Sequence, residues 1–144
     1  MTIKDKETTL IASFENFDDW LEKYNFIIDM GKDLTMIDPK FKTKQNLITG
    51  CQSSVWLHAD YNDGKITFTA DSDAVITKGI VNLLIGLFSG HGPDEIISAD
   101  MGFIDKIGLK EHLSPTRSNG LMSMIKQMKL YALAFKTKYE QKEG

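Results

Sequence analysis

What the 144-residue chain has little of narrows the field before any motif is read. It has one cysteine, so no intramolecular disulfide can staple it and no thiolate-rich zinc site can form. Its three histidines, His58, His91 and His112, lie far apart, and no two have the spacing of three or four residues that puts two metal ligands on one helix face. No metal site is expected. A glycine-rich phosphate loop is missing too, because Gly90-His91-Gly92 lacks both a third glycine and a preceding strand. The most apolar run, Gly79 to Phe88, is about half the length that crosses a bilayer as a helix. The N-terminus, Met1-Thr2-Ile3-Lys4-Asp5-Lys6-Glu7, has no apolar core of a secretory signal. Basic clusters are lacking, and a net charge of −3 leaves no electrostatic footprint for nucleic acid or an anionic membrane surface. The expected setting is the cytoplasm, where a thiol stays reduced.

What is there reads as an ordinary soluble domain. Apolar residues make up 42% and charged residues 26%, enough to build a core and too balanced for disorder. The length suits one domain spanning residues 1–144.

The lone cysteine, Cys51, lies in Asn46-Leu47-Ile48-Thr49-Gly50-Cys51-Gln52-Ser53-Ser54-Val55-Trp56, just ahead of a β-type run. Gly50 permits backbone angles closed to other residues, and Gln52 and Ser53 can hydrogen-bond around a sulfur. A buried cysteine is ordinarily an inert small hydrophobe. This one falls between glycine and glutamine on an expected loop, where functional residues concentrate.

Along the chain, Ile3, Leu10, Phe14 and Phe17 mark a helix over about 5–14. Asn16 or Asp18 is expected to cap a second helix, whose stripe is Trp20, Tyr24, Ile27 and Ile28. Asp38-Pro39 breaks the pattern, and Lys40, Lys42 and Lys44 read as a solvated loop. Leu47 to Thr49 is expected as a short strand leading to the cysteine turn. Val55 to Tyr61 alternates as a half-buried strand, and Asp63-Gly64 is a two-residue hairpin turn. That turn pairs Tyr61 with Ile66, Ala59 with Phe68 and Leu57 with Ala70, all apolar on one face, whereas a one-residue slip would mix the faces. From Asp71-Ser72-Asp73 the period changes to that of a helix reaching about Ser89, apolar nearly all round and therefore buried. Gly79 and Gly86 are expected to let this helix approach the sheet closely. Short helices follow at Pro93 and over Phe103 to Ile107. Ser114 and Pro115 then start a last helix with the stripe Leu121, Met124, Ile125, Met128, Ala132 and Phe135. The charged tail from Lys136 to Gly144 is expected to fray.

Few residues outside the cysteine turn can carry chemistry. Arg117 puts a cation in the first turn of the last helix, against the helix dipole, and such violations are expected near functional sites. It either lies near Cys51, where it would favour the thiolate, or pairs with Glu111 at the surface. Asp71 and Asp73 either cap the central helix or contact a partner. A cysteine–histidine dyad would need one of the three histidines beside Cys51 in space, which spacing neither shows nor excludes.

Three blocks together carry a resemblance: Gly50-Cys51-Gln52-Ser53-Ser54-Val55-Trp56, Asp71-Ser72-Asp73-Ala74-Val75-Ile76-Thr77-Lys78-Gly79 and Leu113-Ser114-Pro115-Thr116-Arg117-Ser118-Asn119-Gly120-Leu121. In order and spacing the sequence resembles the SufE family, sulfur acceptors that work with cysteine desulfurases in iron–sulfur cluster assembly. The resemblance implies an α+β domain of the SufE/IscU-like fold: two N-terminal helices, a three-stranded antiparallel sheet packed against helices, and a long C-terminal helix. It implies that Cys51 takes persulfide sulfur from a SufS-type desulfurase, stimulates that enzyme, and hands the sulfur to a downstream iron–sulfur scaffold. The protein itself would be an accessory rather than an enzyme. Pyridoxal phosphate would belong to the desulfurase, with no cofactor here. Gly50, Gln52, Ser53, Arg117, His112 and Asn119 would neighbour the cysteine, Asp71 and Asp73 would face the partner, and the chain would be a monomer or weak homodimer. Ile80 and Thr116 depart from the usual leucine and serine without removing a group the chemistry needs.

Four other readings stand beside it. A CsdE-type acceptor would serve another desulfurase and a different downstream acceptor. A cluster scaffold of the IscU kind would need several cysteines. A thiol hydrolase or peroxidase would turn over a small substrate without a partner, and a desulfurase adaptor would not need the thiol at all.

Overall fold

The computed structural model describes residues 1–34 and 37–143. Local signals place its elements. Helix α1 (Ile3–Glu15) starts two residues earlier than the periodicity indicates, because Thr2 and Asp5 form a reciprocal capping box with both bonds at 3.0 Å. Helix α2 (Trp20–Lys32) is capped by Asp19, whose carboxylate accepts from the Glu22 N–H at 2.9 Å. The expected caps Asn16 and Asp18 are otherwise engaged: Asn16 closes α1, and the Asp18 N–H donates to the Glu22 side chain.

Strands β1 (Val55–Asn62) and β2 (Lys65–Ser72) form the hairpin in the expected register, with Leu57 opposite Ala70, Ala59 opposite Phe68 and Tyr61 opposite Ile66. Among the described residues the sheet has these two strands. The third strand expected at Leu47–Thr49 reduces to a single bridge between Leu47 and Trp56. A 3-10 turn over Lys44–Asn46 precedes it and the left-handed Gly50 follows, so too few residues remain extended to build a ladder. Tyr131 covers the next stretch of that edge, its hydroxyl donating to the Leu57 carbonyl at 3.3 Å. On the other edge, Ile66 N–H donates to the His91 carbonyl at 2.9 Å and Phe68 N–H to Ser89 Oγ at 2.9 Å.

Helix α3 (Val75–Phe88) is the buried centre, but it starts four residues later than Asp71. Asp71 and Ser72 belong to β2, and Ala74 is the N-cap residue without a side-chain bond. The close approach expected between α3 and the sheet occurs elsewhere. A Cβ on Gly79 would overlap the carbonyl of Ile27 on α2, whereas Gly86 has nothing within 4 Å. Gly79 therefore lets two helices touch, whereas a side chain at Gly86 would enter open space.

Helices α4 (Pro93–Ser98), α5 (Phe103–Ile107) and α6 (Leu109–His112) lead to α7 (Pro115–Glu143). Ser114 Oγ accepts from the Arg117 N–H at 3.3 Å and Pro115 takes the first helical position, as the sequence indicates. The helix continues through the expected fraying tail to Glu143, while Gly144 lies outside the described residues. Phe14, Ile27, Phe68, Leu84, Phe88, Phe103 and Leu121 are buried together in one core cluster drawn from α1, α2, β2, α3, α5 and α7.

Candidate functional site

The cysteine turn is built by constraints on either side of it. Gly50 has φ +93°, the left-handed region, and a Cβ there would come 2.5 Å from Ser123 Oγ of α7. Beyond the cysteine, Asp73 fastens the turn to the start of α3: its carboxylate accepts from the Ser54 N–H at 3.1 Å, and its own N–H donates to the Ser54 carbonyl at 3.3 Å. Between these anchors Cys51 is half-buried and packs against the core. Its Sγ lies 3.6 Å from the carbonyl oxygen of Gly120, to which the thiol donates. Gly120 is buried inside α7, where glycine is a poor helix former, and a Cβ on it would touch Sγ at 3.5 Å.

Cys51 opens onto a cleft of about 90 Å³. The turn contributes Gln52 and Ser53 to its walls, α3 contributes Thr77 and Ile80, and α7 contributes Thr116, Arg117, Gly120 and Met124. Burial pushes the thiol above its ordinary pKa and no charge offsets the shift, so at neutral pH the free protein holds the thiol form. Relief of that burial would favour the nucleophilic thiolate.

Of the expected neighbours, Gln52, Ser53 and Arg117 line the cleft, and Gly50 lines a groove on the other flank of the turn with Ser123, Lys126 and Leu130. Arg117 does not pair with Glu111: its Nη1 donates to the Tyr24 hydroxyl of α2 at 3.0 Å. His112 is not in the cleft and stacks on Trp20 with ring centres 4.3 Å apart. Asn119 is exposed on α7 and does not line the cleft either.

The two aspartates separate in role. Asp73 is exposed beside the turn, but Asp71 is only 5% exposed. Its carboxylate holds Lys42 at 3.0 Å and Lys78 at 3.4 Å and accepts from the Ser72 N–H. Burial alone would raise the Asp71 pKa, but the bonds from Lys42 and Ser72 and the two lysine charges hold it below the usual carboxylate value. Lys42, expected on a solvated face, thus spans this ion pair and the Trp56 ring, with Nζ 4.6 Å from the ring centre.

Sequence reasoning missed Thr77, Ile80, Thr116, Met124 and Tyr24 as residues of the site. One signal was available: Gly120 breaks helix propensity in the second turn of a long helix. No histidine lines the cleft. His58 stacks on Phe41 and bonds Asp60, and buried His91 bonds Glu95 at 2.7 Å. Among the described residues no group of three or more His, Cys, Asp or Glu gathers where it could hold a metal ion.

Fold and site together define a mixed α+β protein with one half-buried thiol on a glycine turn and no histidine beside it. The chain belongs to the SufE family: residues 8–132 match the family described as an Fe-S metabolism associated domain. An uncharacterised SufE-like protein of Rhizobium meliloti is 41% identical over 125 residues, which are 83% of this chain and 89% of that one. SufE-like protein 1, chloroplastic/mitochondrial, of Arabidopsis thaliana is 37% identical over 133 residues, 92% of this chain but 36% of the plant protein. The fold resembles the solution structure of a hypothetical protein from Thermus thermophilus with a TM-score of 0.75 at 20% identity, covering 90% of this chain and 94% of that one. Membership places the chain in iron–sulfur metabolism. Among the described residues no helix is long and apolar enough to cross a membrane.

Proposed function

We propose that this chain is a sulfur acceptor: Cys51 takes sulfane sulfur from the persulfide of a SufS-type cysteine desulfurase, stimulates that enzyme, and holds the sulfur as a persulfide for a downstream iron–sulfur scaffold. The observation that carries the reading is the placement of the sole thiol, half-buried against Gly120 on a glycine turn whose far end is tied down by exposed Asp73. The transfer needs one thiol and no second cysteine, since a resolving thiol would expel the sulfur and leave a disulfide. Pyridoxal phosphate chemistry belongs to the desulfurase, and the setting is a reducing compartment such as the cytoplasm. Asp73, Gln52 and Val75, the last 64% exposed at the start of α3, form the surface that meets the desulfurase. Docking there moves the turn off Gly120, removes the burial that keeps the thiol protonated, and frees Sγ to attack.

Intact-mass spectrometry after incubation with a cognate desulfurase, pyridoxal phosphate and cysteine tests this. The expected gain is about 32 mass units per sulfur atom, reversed by a reducing thiol and absent in Cys51→Ser. No gain with an active desulfurase would sink the acceptor reading. Full stimulation of the desulfurase by Cys51→Ser would establish a mere adaptor.

A further inference from the structure

Among the described residues Arg117 is the one charged side chain lining the cysteine cleft, yet it is burial, not this charge, that displaces the thiol pKa. The Arg117 Nη1 donates to the Tyr24 hydroxyl at 3.0 Å, a bond that ties α7 to α2, and among the described residues no carboxylate pairs with it. A tyrosine hydroxyl accepts that bond without neutralising the cation, as a carboxylate partner would. The cation is held in the exposed part of the cleft wall with no carboxylate to cancel its charge.

Sulfur transfer changes what the cleft contains. The Cys51 thiolate attacks the outer sulfur of the donor persulfide, the donor's S–S bond breaks, and its electron pair leaves on the donor thiolate. The product, Cys51–S–S–H, loses its proton to solvent, and no external oxidant or reductant takes part. Its outer sulfur lies about 2.05 Å beyond Sγ, and the cleft of about 90 Å³ that receives it has Arg117 in its wall.

Building on the sulfur-acceptor reading, we infer that Tyr24 is a positioning residue that fixes Arg117 as the counter-charge for the outer sulfur of the Cys51 persulfide rather than for the thiol. Among the described residues the other walls offer no competing charge: Gln52 and Ser53 from the turn, Thr77 and Ile80 from α3, and Thr116, Gly120 and Met124 from α7. Asp73 is committed to the Ser54 N–H, and Lys126 lines the groove on the other flank, beside Gly50.

The test is the pH profile of iodoacetamide alkylation at Cys51, read by mass, on the unloaded protein and on protein loaded with inorganic polysulfide. Tyr24→Phe is expected to raise the midpoint of the loaded form by roughly half a pH unit and leave the unloaded midpoint in place. Arg117→Gln should raise the loaded midpoint at least as far, and the double variant no further than Arg117→Gln alone, because Tyr24 acts through Arg117. An unmoved loaded midpoint in Tyr24→Phe, an equal shift in the unloaded form, or additive shifts in the double variant would each overturn the assignment. Polysulfide loading needs no desulfurase, so failure of the enzyme to load the wild type would sink the acceptor reading and leave this result to stand by itself.

Discussion

At the residue scale, the site depends on a glycine whose conformation few side chains tolerate. Gly50 has φ +93° and faces Ser123 Oγ, so a methyl there meets both backbone strain and a contact at 2.5 Å. Gly50→Ala is expected to cost about 1–2 kcal/mol from the left-handed backbone alone. The Ser123 contact adds to this, so Gly50→Ala/Ser123→Ala should recover part of the loss in urea denaturation but not all of it. Sulfur uptake should fall in both variants, because the turn that presents Cys51 is what the methyl displaces. Gly120 differs: its Cβ would meet Sγ at an ordinary contact distance in a normal helical conformation.

At the scale of elements, α3 is placed by the helix it touches more than by the sheet. Gly79 brings its backbone against Ile27 of α2, and a Cβ there would overlap the Ile27 carbonyl. Gly79→Ala should therefore push the two helices apart and lower stability by about 1–3 kcal/mol or more. Gly86 lies on the same helix, exposed, and a Cβ there would have nothing within 4 Å. Gly86→Ala should stabilise by up to about 1 kcal/mol, since alanine is the better helix former. The opposite signs at the two positions would be visible in thermal melts, with the larger shift at Gly79. The sequence shows both glycines at helical spacing seven apart but does not show which neighbour each faces, because that depends on how α2 folds back. The hairpin was legible for the opposite reason: Asp63-Gly64 and the apolar alternation set its register within residues adjacent in the chain. The third strand was not legible as a failure. Leu47-Ile48-Thr49 has strand-forming residues, and only the turns at either end show that it stops at one bridge.

For the whole molecule, distant segments meet at Asp71. The carboxylate is buried and held by Lys42 from the loop ahead of the Lys44–Asn46 turn and by Lys78 from α3, and its pKa is depressed. A depressed carboxylate contributes stability above its unfolded pKa and loses it as pH falls through the folded value. Unfolding free energy should thus decline below about pH 4 in the wild type. Asp71→Asn should flatten that acid limb and cost about 1–2 kcal/mol at pH 7, the modest size reflecting two lysines that can turn to water. An acid limb identical in both proteins, followed by urea midpoints from pH 2.5 to 7, would remove Asp71 from this role. The sign at Cys51 is opposite. Burial raises its pKa, so its contribution is intact below the unfolded thiol value and is lost as pH rises through the folded one.

By itself the sequence determined whatever depends on neighbours in the chain: the Ser114-Pro115 start of α7, the register of the hairpin, the glycine turn around the sole cysteine, and the three motif blocks that mark the family. Those features rest on local backbone preference and side-chain periodicity, which act over a few residues. Only the tertiary structure decided that the Cys51 thiol rests on the Gly120 carbonyl, that Arg117 is held by Tyr24 and not by Glu111, and that Asp71 is buried while Asp73 faces out. Tyr24 and Arg117 are 93 residues apart. Contacts across such separations follow from how helices and sheet pack to bury apolar surface, and no pattern along the chain records which polar groups that packing brings together.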